Sequence, residues 1–391
     1  MRSDVLVVGA GIIGAACAHA LARSGLTVTV IDRSGAASGT TGQGEGNLLV
    51  SDKGPGPELD LARYSLELWQ GCEARLRERL PASFPALEYD RKGGLVVATT
   101  EDGAAPLLDF AEQQRRVGID AEVVDRDQAL WLEPDLNPKL TAAVHYREDA
   151  QVQPVIATEA LLAAARSYGA RTVHGERVVG ALRAGSRLTG VRTEQDSHSA
   201  EHIILACGPW TSAVATSLGT ALPVLPRRGV ILVTTRMPHR IFHKVYDADY
   251  VGAVGSDAAE LQTSSVIEST ASGTVLIGSS RRQQGFDQRL DLEAAGEIAR
   301  KAVRVFPFLA DAAVMRMYGG LRPFTPDHLP AIGPDPALEG LWHATGHEGA
   351  GIGLSLGTAE LLADLITGRQ PAVDPAPFAP NRPSLQEMID R

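Results

Sequence analysis

The first thirty-two residues show the hydrophobic pattern of a βαβ unit. Residues 5–8 form a short apolar run followed by glycine, which is typical of a buried parallel strand. Residues 12–24 are rich in alanine and stop before Gly25, which predicts a helix with glycine just beyond its end. Residues 27–31 form a second apolar run that leads to Asp32. The pattern therefore predicts two parallel strands joined by a helix.

The remaining chain continues to alternate between helical and extended patterns. Helices are predicted over residues 59–80, 154–168 and 290–306, and a last helix begins in the glycine-rich run 346–353 and reaches about residue 366. Strands are predicted at residues 93–98, 171–174, 202–208, 229–235, 274–278 and 341–344. Glycine, proline, serine and threonine predict loops at residues 35–57 and 319–334.

Length and charge narrow the class of protein. A chain of 391 residues exceeds the usual size of one core, so one large or two medium domains are expected. A net charge of −10 argues against non-specific nucleic-acid binding and gives no basic anchor for an anionic membrane. Three cysteines favour a reducing compartment over a disulfide framework. Because residues 5–8 are too short for a signal peptide or membrane span, we expect a cytoplasmic protein.

Residues 9–14 place the pattern G-x-G-x-x-G between the first strand and the first helix. Gly9 permits a tight turn, Gly11 lets the backbone approach a pyrophosphate, and Gly14 lets the helix pack on the strand. The helix N-terminus would direct its N–H groups at the phosphates. Asp32, 18 residues after Gly14, is placed to accept hydrogen bonds from a ribose and would repel a 2′-phosphate. This spacing predicts a dinucleotide site without distinguishing NAD from FAD.

Further segments resemble the D-amino-acid oxidase and glycine oxidase superfamily of flavoproteins, in particular its glycine/sarcosine oxidase-like branch. The matching segments are residues 5–14, 35–44, 206–211, 319–333 and 346–353, in the family's order, and the resemblance covers nearly the whole chain. It implies an α/β fold, with a Rossmann-like FAD-binding domain on a parallel sheet and an α+β substrate domain on a large mixed or antiparallel sheet. The implied FAD-binding domain is 1–88, 146–224 and 325–391, and the implied substrate-binding domain is 89–145 and 225–324.

The resemblance also implies which residues contact FAD. Residues 38–41 would hold the pyrophosphate opposite the glycine loop, and residues 349–353 would stabilise negative charge on the reduced flavin. The implied set is Gly9, Gly11, Ile12, Ile13, Gly14, Asp32, Arg33, Ser38, Thr40, Thr41, Gly42, Gly44, Glu45, Val178, Ala206, Gly208, Trp210, Arg322, His347, Glu348, Gly349, Ala350, Gly351 and Ile352. Some sarcosine oxidases attach FAD through a cysteine near the segment of Arg322. No cysteine follows Cys207 here, so FAD is expected to bind non-covalently.

Arg322 is the candidate residue for binding the substrate. Its planar guanidinium matches a carboxylate, and in relatives the arginine of this segment holds the substrate carboxylate. A salt bridge to Asp327 would instead make Arg322 structural. Tyr246 and Tyr250 are candidates for lining the active site, as tyrosines of this region do in relatives. His347 would either contact the flavin ring or pack beside it.

Glu45 departs from the family pattern, because many relatives carry a small or neutral residue beside the flavin at this place. It would recognise a cationic group on the substrate, point to solvent, or pair with an arginine such as Arg63. No metal site is expected, since a turn separates His343 from His347.

The resemblance implies oxidation of a C–N bond beside a carboxylate. Hydride transfer to flavin N5 from glycine, sarcosine, proline, hydroxyproline or an opine would give an imine, which water hydrolyses. The acceptor would be O2 or a partner protein, and the latter would make the chain the flavin subunit of a heteromeric dehydrogenase. The resemblance is compatible with both a homo-oligomer and a hetero-oligomer. An NAD-dependent dehydrogenase and a non-catalytic flavin-binding subunit are the alternatives of other classes.

Overall fold

Two large sheets dominate the computed structural model, which describes residues 2–249 and 258–389. The strands are β1 (Arg2–Val8), β2 (Val28–Asp32), β3 (Asn47–Leu48), β4 (Gly94–Ala98), β5 (Ala121–Val124), β6 (Ala142–Tyr146), β7 (Ala150–Gln151), β8 (Arg171–His174), β9 (Val178–Ala184), β10 (Arg187–Thr193), β11 (Ser197–Leu205), β12 (Leu225–Thr234), β13 (Lys244–Asp247), β14 (Gln262–Ser269), β15 (Val275–Arg281), β16 (Val314–Phe324), β17 (Ala331–Pro334) and β18 (Leu341–Thr345). The α-helices are α1 (Ile12–Arg23), α2 (Pro57–Trp69), α3 (Cys72–Arg77), α4 (Glu101–Arg116), α5 (Arg126–Leu132), α6 (Pro154–Ser167), α7 (Thr211–Leu218), α8 (Leu292–Val305), α9 (Gly351–Thr367) and α10 (Pro383–Ile389).

The first sheet has the order β17-β18-β11-β1-β2-β8, with the antiparallel pair β9 and β10 attached to β11. The strands β18, β11, β1, β2 and β8 run parallel to one another. Alternate residues of β1 enter different cores: Val5 and Val7 pack with α1, whereas Leu6 and Val8 pack with α7. The sheet is therefore buried on both faces, and the predicted βαβ unit and parallel sheet are confirmed.

The second sheet has the order β16-β12-β15-β14-β13-β4-β6-β5. Its pairs are antiparallel except for β4 and β13. Helix α8 covers one face and buries Ile298 and Ala302 against apolar residues of the strands. The predicted combination of a parallel sheet with a mixed, largely antiparallel sheet is confirmed. Within the described ranges, no helix has the length and apolar character that crossing a membrane requires.

Two sequence-based element predictions were wrong. Glycines and prolines predict a loop over residues 319–334, but residues 331–334 form β17 and residues 319–324 belong to β16. This strand ends the order of its sheet, where a proline such as Pro323 can lack an N–H without losing a ladder bond. The single helix predicted over residues 59–80 is two helices, because Gly71 adopts φ 70° between α2 and α3.

Candidate active site

A cavity of about 410 Å3 lies between the two sheets. One wall comes from the carboxyl ends of β1, β2 and β18 and the residues after β11, and the other from β12, β15 and β16. In open α/β sheets, ligands bind beyond the carboxyl ends of parallel strands. The predicted residues that line it are Gly9, Gly11, Ile12, Ile13, Asp32, Arg33, Ser38, Thr40, Thr41, Gly44, Glu45, Val178, Ala206, Gly208, Trp210, Arg322, His347, Glu348, Gly349, Gly351 and Ile352. The predicted residues Gly14, Gly42, Ala350 and Tyr246 do not line it.

The glycine loop is too crowded for side chains. A Cβ on Gly9, where φ is 112°, would lie 2.3 Å from the carbonyl oxygen of Ala206, and a Cβ on Gly14 would lie 1.9 Å from the carbonyl oxygen of Gly9. Gly14 therefore serves the packing of α1 on the loop rather than the cavity wall. Both α1 and α9 begin at this cavity. Their N-termini suit an anionic pyrophosphate and a reduced flavin respectively.

Asp32 is fixed at the end of β2 by backbone donors. One carboxylate oxygen accepts a hydrogen bond from the N–H of Ala10 at 2.8 Å, and the other accepts from Ser34 at 2.8 Å and Gly35 at 3.1 Å. The carboxylate is therefore held against the glycine loop while it lines the cavity. Beside it, the Arg33 guanidinium lies 4.0 Å from the centre of the Trp210 ring.

The segment after β2 connects the glycine loop to the second sheet. The Thr41 hydroxyl accepts a hydrogen bond from the N–H of Ile12 at 3.1 Å, at the start of α1. The neighbouring Thr40 hydroxyl donates to the carbonyl of Leu321 at 2.5 Å, on β16. These two contacts bring the glycine loop and the Arg322 strand to the same cavity.

Arg322 lies on β16 opposite Arg227 of β12 and faces the cavity. Its Nη1 donates to the carbonyl of Ser280 at 2.7 Å. The guanidinium lies so close to Gly229 that a Cβ there would be 2.4 Å from Nη1. The alternative of a salt bridge with Asp327 is wrong, because Asp327 accepts from the Arg382 Nε at 2.5 Å and Nη2 at 2.8 Å.

Glu45 faces the same cavity as Arg322. Its Oε2 accepts a hydrogen bond from the Asn47 amide at 3.2 Å, and its Oε1 is buried against Gly278. Burial raises the pKa of Glu45 above its usual range, although the charges of Lys244, Arg322 and Arg281 oppose the rise. The alternatives of a solvent-facing Glu45 and a pair with Arg63 are wrong. The Arg63 guanidinium instead donates to the carbonyl of Val117 at 3.2 Å.

Glu348 occupies the turn before α9 with φ 44°, a conformation that side chains rarely adopt. Its carboxylate accepts from Arg227 Nη1 at 2.9 Å and lies 3.1 Å from His328 Nδ1. Burial alone would raise the pKa of Glu348. The hydrogen bond with His328 and the charges of Arg281 and Arg227 outweigh burial and lower that pKa to about 2. The turn is therefore held by a buried carboxylate that is ionised at pH 7.

His347 lies in the same turn and is buried. Its Nε2 lies 3.0 Å from the Thr358 hydroxyl on α9. Burial lowers the pKa of His347 to about 3, so the imidazole is neutral at pH 7. Its Nδ1 has no hydrogen-bond partner in the described part of the chain. Both of the predicted environments, the cavity and the packed turn, are therefore present.

Tyr246 does not line the cavity. The Tyr246 hydroxyl lies 3.4 Å from Asp149 Oδ2, and the ring is part of a hydrophobic core. Tyr246 is therefore corrected from an active-site residue to a core residue. Tyr250 lies outside the described residues.

Several cavity residues escaped the sequence reasoning. Gln43 and Gly320 lie in the matching segments 35–44 and 319–333 but were not among the residues assigned to the site. The others come from stretches without a motif: Asn47, Gly229, Ser279 and Arg281. Arg281, at the end of β15, is the second arginine of the substrate-side wall. No local spacing connects it to Arg322, and only the pairing of β12 with both β15 and β16 brings them together.

Comparison with known proteins decides what this cavity holds. The model of the DAO family, described as FAD dependent oxidoreductase, matches residues 4–365. The chain belongs to the DAO family. The crowded glycine loop and the two helix N-termini fit an FAD pyrophosphate and isoalloxazine ring, and this DAO-family protein is an FAD-dependent oxidoreductase.

Relatives of the chain include proteins named for amino-acid chemistry. It is 31% identical to glycine oxidase of Pseudomonas aeruginosa over 389 residues, which covers 97% of this chain and 99% of the relative. It is 28% identical to the hydrogen cyanide synthase subunit HcnC of the same species, covering 96% and 95%. The crystal structure of glycine oxidase from Geobacillus kaustophilus matches with a TM-score of 0.87 at 28% identity, covering 97% of this chain and 99% of that one.

Proposed function

We propose that this DAO-family protein oxidises the C–N bond of a small amino acid or N-substituted glycine. Glycine, sarcosine, proline, hydroxyproline and opines are the candidate substrates. The observation that carries the proposal is the position of Arg322, which lines the same cavity as the glycine loop of residues 9–14. A cofactor site and a carboxylate-binding group therefore share one enclosed space.

Arg322 supplies binding and orientation. Its guanidinium would hold the substrate carboxylate, while its hydrogen bond to the Ser280 carbonyl fixes the direction of the side chain. FAD, when bound, supplies the acceptor for the hydride that leaves the substrate α-carbon. The neutral amine is the form that releases a hydride, so amine deprotonation would shape the pH profile. Water then hydrolyses the imine product.

The two walls of the cavity support a division of labour between the parts of the chain. We propose that residues 1–88, 146–224 and 325–391 bind FAD and that residues 89–145 and 225–324 bind the substrate. The wall built by β1, β2 and β18 carries the glycine loop, and the wall built by β12, β15 and β16 carries Arg322 and Arg281.

The electron acceptor divides the proposal into two forms. Similarity to glycine oxidase of Pseudomonas aeruginosa favours O2. Similarity to HcnC, named as a subunit of hydrogen cyanide synthase, favours a hetero-oligomer that passes electrons to a partner. Oxygen consumption compared with reduction of an artificial dye, measured on the same preparation, separates the two forms.

The substrate role of Arg322 is tested by anaerobic flavin reduction. The purified holoenzyme is mixed with each candidate amino acid, and loss of absorbance near 450 nm reports oxidation. Arg322→Met should raise KM by about 100-fold or more while FAD stays bound, because a charge-assisted bidentate pair is lost. Arg316→Met, an exposed arginine on the same strand, is the matched control and should leave KM unchanged. An unchanged KM for Arg322→Met contradicts the assignment, and a flavin that no amino acid reduces favours a non-catalytic subunit.

A further inference from the structure

Glu45 is a carboxylate on the cavity wall that no cation of the described residues pairs with directly. Its Oε2 accepts a hydrogen bond from the neutral Asn47 amide. Its Oε1 is buried and has no hydrogen-bond partner among the described residues. A buried carboxylate oxygen without a hydrogen bond lowers the stability of the protein. A hydrogen-bond donor on a bound ligand would remove this cost.

The other carboxylates around this part of the cavity already have cationic partners. Arg227 donates to Glu348, and Arg281 Nε lies 4.0 Å from the same carboxylate. Lys244, which is fully buried, forms a salt bridge with Glu268. Glu45 is therefore distinguished from Glu348 and Glu268 by the absence of such a contact within the described ranges.

Glu45 and Arg322 both contact residues 278–280 of β15. The Glu45 Oε1 lies against Gly278, where a Cβ would be 2.1 Å from it, and Arg322 Nη1 donates to the carbonyl of Ser280. Two residues of extended chain span at most about 7 Å, so the two side chains reach the cavity beside neighbouring residues of one strand. The charge of Arg322 also acts on Glu45. An α-amino acid carries a carboxylate and an ammonium group on one carbon and can offer one to each side chain.

We propose that Glu45 binds the amino group of the substrate whose carboxylate is held by Arg322, and accepts one proton from it. The substrate N–H bond breaks, an O–H bond forms on Glu45, and the lone pair stays on the nitrogen. The amine is then in the neutral state from which a hydride can leave the α-carbon. The proton on Glu45 returns to solvent after the product departs. This inference rests on the proposed function and adds an acid–base residue to it.

The surroundings of Glu45 suit a group that alternates between two protonation states. Burial favours its neutral form, whereas Lys244 on β13, Arg281 on β15 and Arg322 on β16 favour its charged form. Tyr318, also on β16, keeps its proton because burial and the charge of Glu45 raise its pKa to about 12. The opposing effects leave Glu45 able to take a proton when the substrate carboxylate partly neutralises Arg322.

Ligand binding to the holoenzyme tests recognition of the amine separately from oxidation. The probes are 2-methylalanine, which has no α-hydrogen to lose, and pivalate, which replaces its ammonium group by a methyl group of similar size. Calorimetry should show that the wild-type protein binds 2-methylalanine at least tenfold more tightly than pivalate. Glu45→Gln should remove most of that preference. A wild-type protein that does not distinguish the two ligands, or a preference unchanged in the variant, overturns the proposal.

A matched control separates recognition from general damage. Glu133→Gln changes another buried carboxylate, which accepts hydrogen bonds from the N–H groups of Phe242 and His243 and does not line the cavity. It should lower stability and leave the ligand preference as in the wild type. A similar loss of preference in both variants contradicts a specific role for Glu45.

Proton acceptance is tested by the pH dependence of anaerobic flavin reduction. Without Glu45 the substrate must arrive as the neutral amine. The apparent second-order rate constant of Glu45→Gln should therefore rise about tenfold per pH unit up to the pKa of the substrate amine. The wild-type value should change less over the same range, and a uniform loss at every pH overturns the proton-transfer role. If no amino acid reduces the wild-type flavin, the proposed function fails, and with it proton transfer, while the ligand comparison still decides amine recognition.

Discussion

Arg227 Nη1 donates a hydrogen bond to Glu348 Oε1 at 2.9 Å, and both side chains are buried. The contact ties β12 of the second sheet to the turn that opens α9. Arg227→Met should lower the free energy of unfolding by about 3–5 kcal/mol at pH 7, because it leaves Glu348 as a buried charge with less compensation. Chemical denaturation of the holoenzyme measures the loss. The loss should shrink at acidic pH, where Glu348 can become neutral.

The adjacent residue provides the control for this prediction. Arg228 is also buried, but its guanidinium donates to the backbone carbonyls of Asp287 and Gln288. Arg228→Met removes hydrogen bonds without leaving a buried carboxylate, so its cost should be smaller and nearly independent of pH. Equal, pH-independent losses in both variants would show that the ion pair is not what stabilises the turn.

Asp149 should make the protein less stable as pH rises from about 4 to about 6. Burial raises the pKa of Asp149 from 3.8 to about 6, although the Val50 and Ser51 N–H groups donate to its carboxylate. Because the folded-state pKa lies above the unfolded value, the destabilisation is absent below pH 3.8 and complete above about pH 6. Asp149→Asn should therefore raise the free energy of unfolding at pH 8 by up to about 3 kcal/mol, and the gain should vanish near pH 4.

Denaturant titrations at several pH values measure this difference. Asp125→Asn, at the exposed N-cap of α5, is the control, because Asn caps a helix about as well as Asp. It should change stability little at any pH. A gain from Asp149→Asn that is the same at pH 4 and pH 8 contradicts the linkage.

Gly14→Ala should abolish tight FAD binding. The added Cβ would lie 1.9 Å from the carbonyl oxygen of Gly9, so α1 must move away from the glycine loop. We expect at least a tenfold loss of FAD affinity, measured by reconstituting the flavin-free protein. The same substitution at Gly296, in α8, meets no atom within 4 Å of the added Cβ and should preserve affinity. Tight FAD binding by Gly14→Ala would show that α1 and the glycine loop can move apart without loss of the FAD site.

FAD should dissociate from the acid-denatured protein. Cys207 is the cysteine that lines the cavity, and its thiol donates to the carbonyl of Val8 at 3.2 Å. Burial raises the pKa of Cys207 to about 12, so it is not the thiolate that attack on a flavin requires. Precipitation with trichloroacetic acid should give a colourless pellet and a yellow supernatant. A yellow pellet would demonstrate a covalent bond.

The part of the site that depends on local spacing could be predicted from the sequence. The glycine loop, Asp32 and the Thr40–Thr41 segment could be placed because each follows directly from one strand or one turn. The family resemblance led to Arg322, which lines the cavity, although the residues around it predict a loop and not a strand. The glycines and the proline of β16 are typical of a loop, so the sequence pattern does not indicate a strand. They are tolerated because β16 lies at the end of the sheet order.

The substrate-side wall could not be predicted in the same way. Gly229 and Arg281 belong to β12 and β15, whose pairing joins residues far apart in the chain. Tyr246 shows the opposite failure, since the family resemblance implied a tyrosine lining the active site and the side chain packs in a core. Side-chain direction on a strand depends on register, and register is set by the assembled sheet.

The cavity takes one wall from each large sheet, so occupancy by FAD joins the two halves of the molecule thermodynamically. A ligand that binds the folded state alone adds RT ln(1 + [L]/Kd) to stability, about 2.7 kcal/mol at a hundred times Kd. The supply of free cofactor thereby becomes a determinant of how long the chain survives proteolysis. Molecules that hold FAD, and can therefore catalyse the reaction, are the ones that FAD protects from proteolysis.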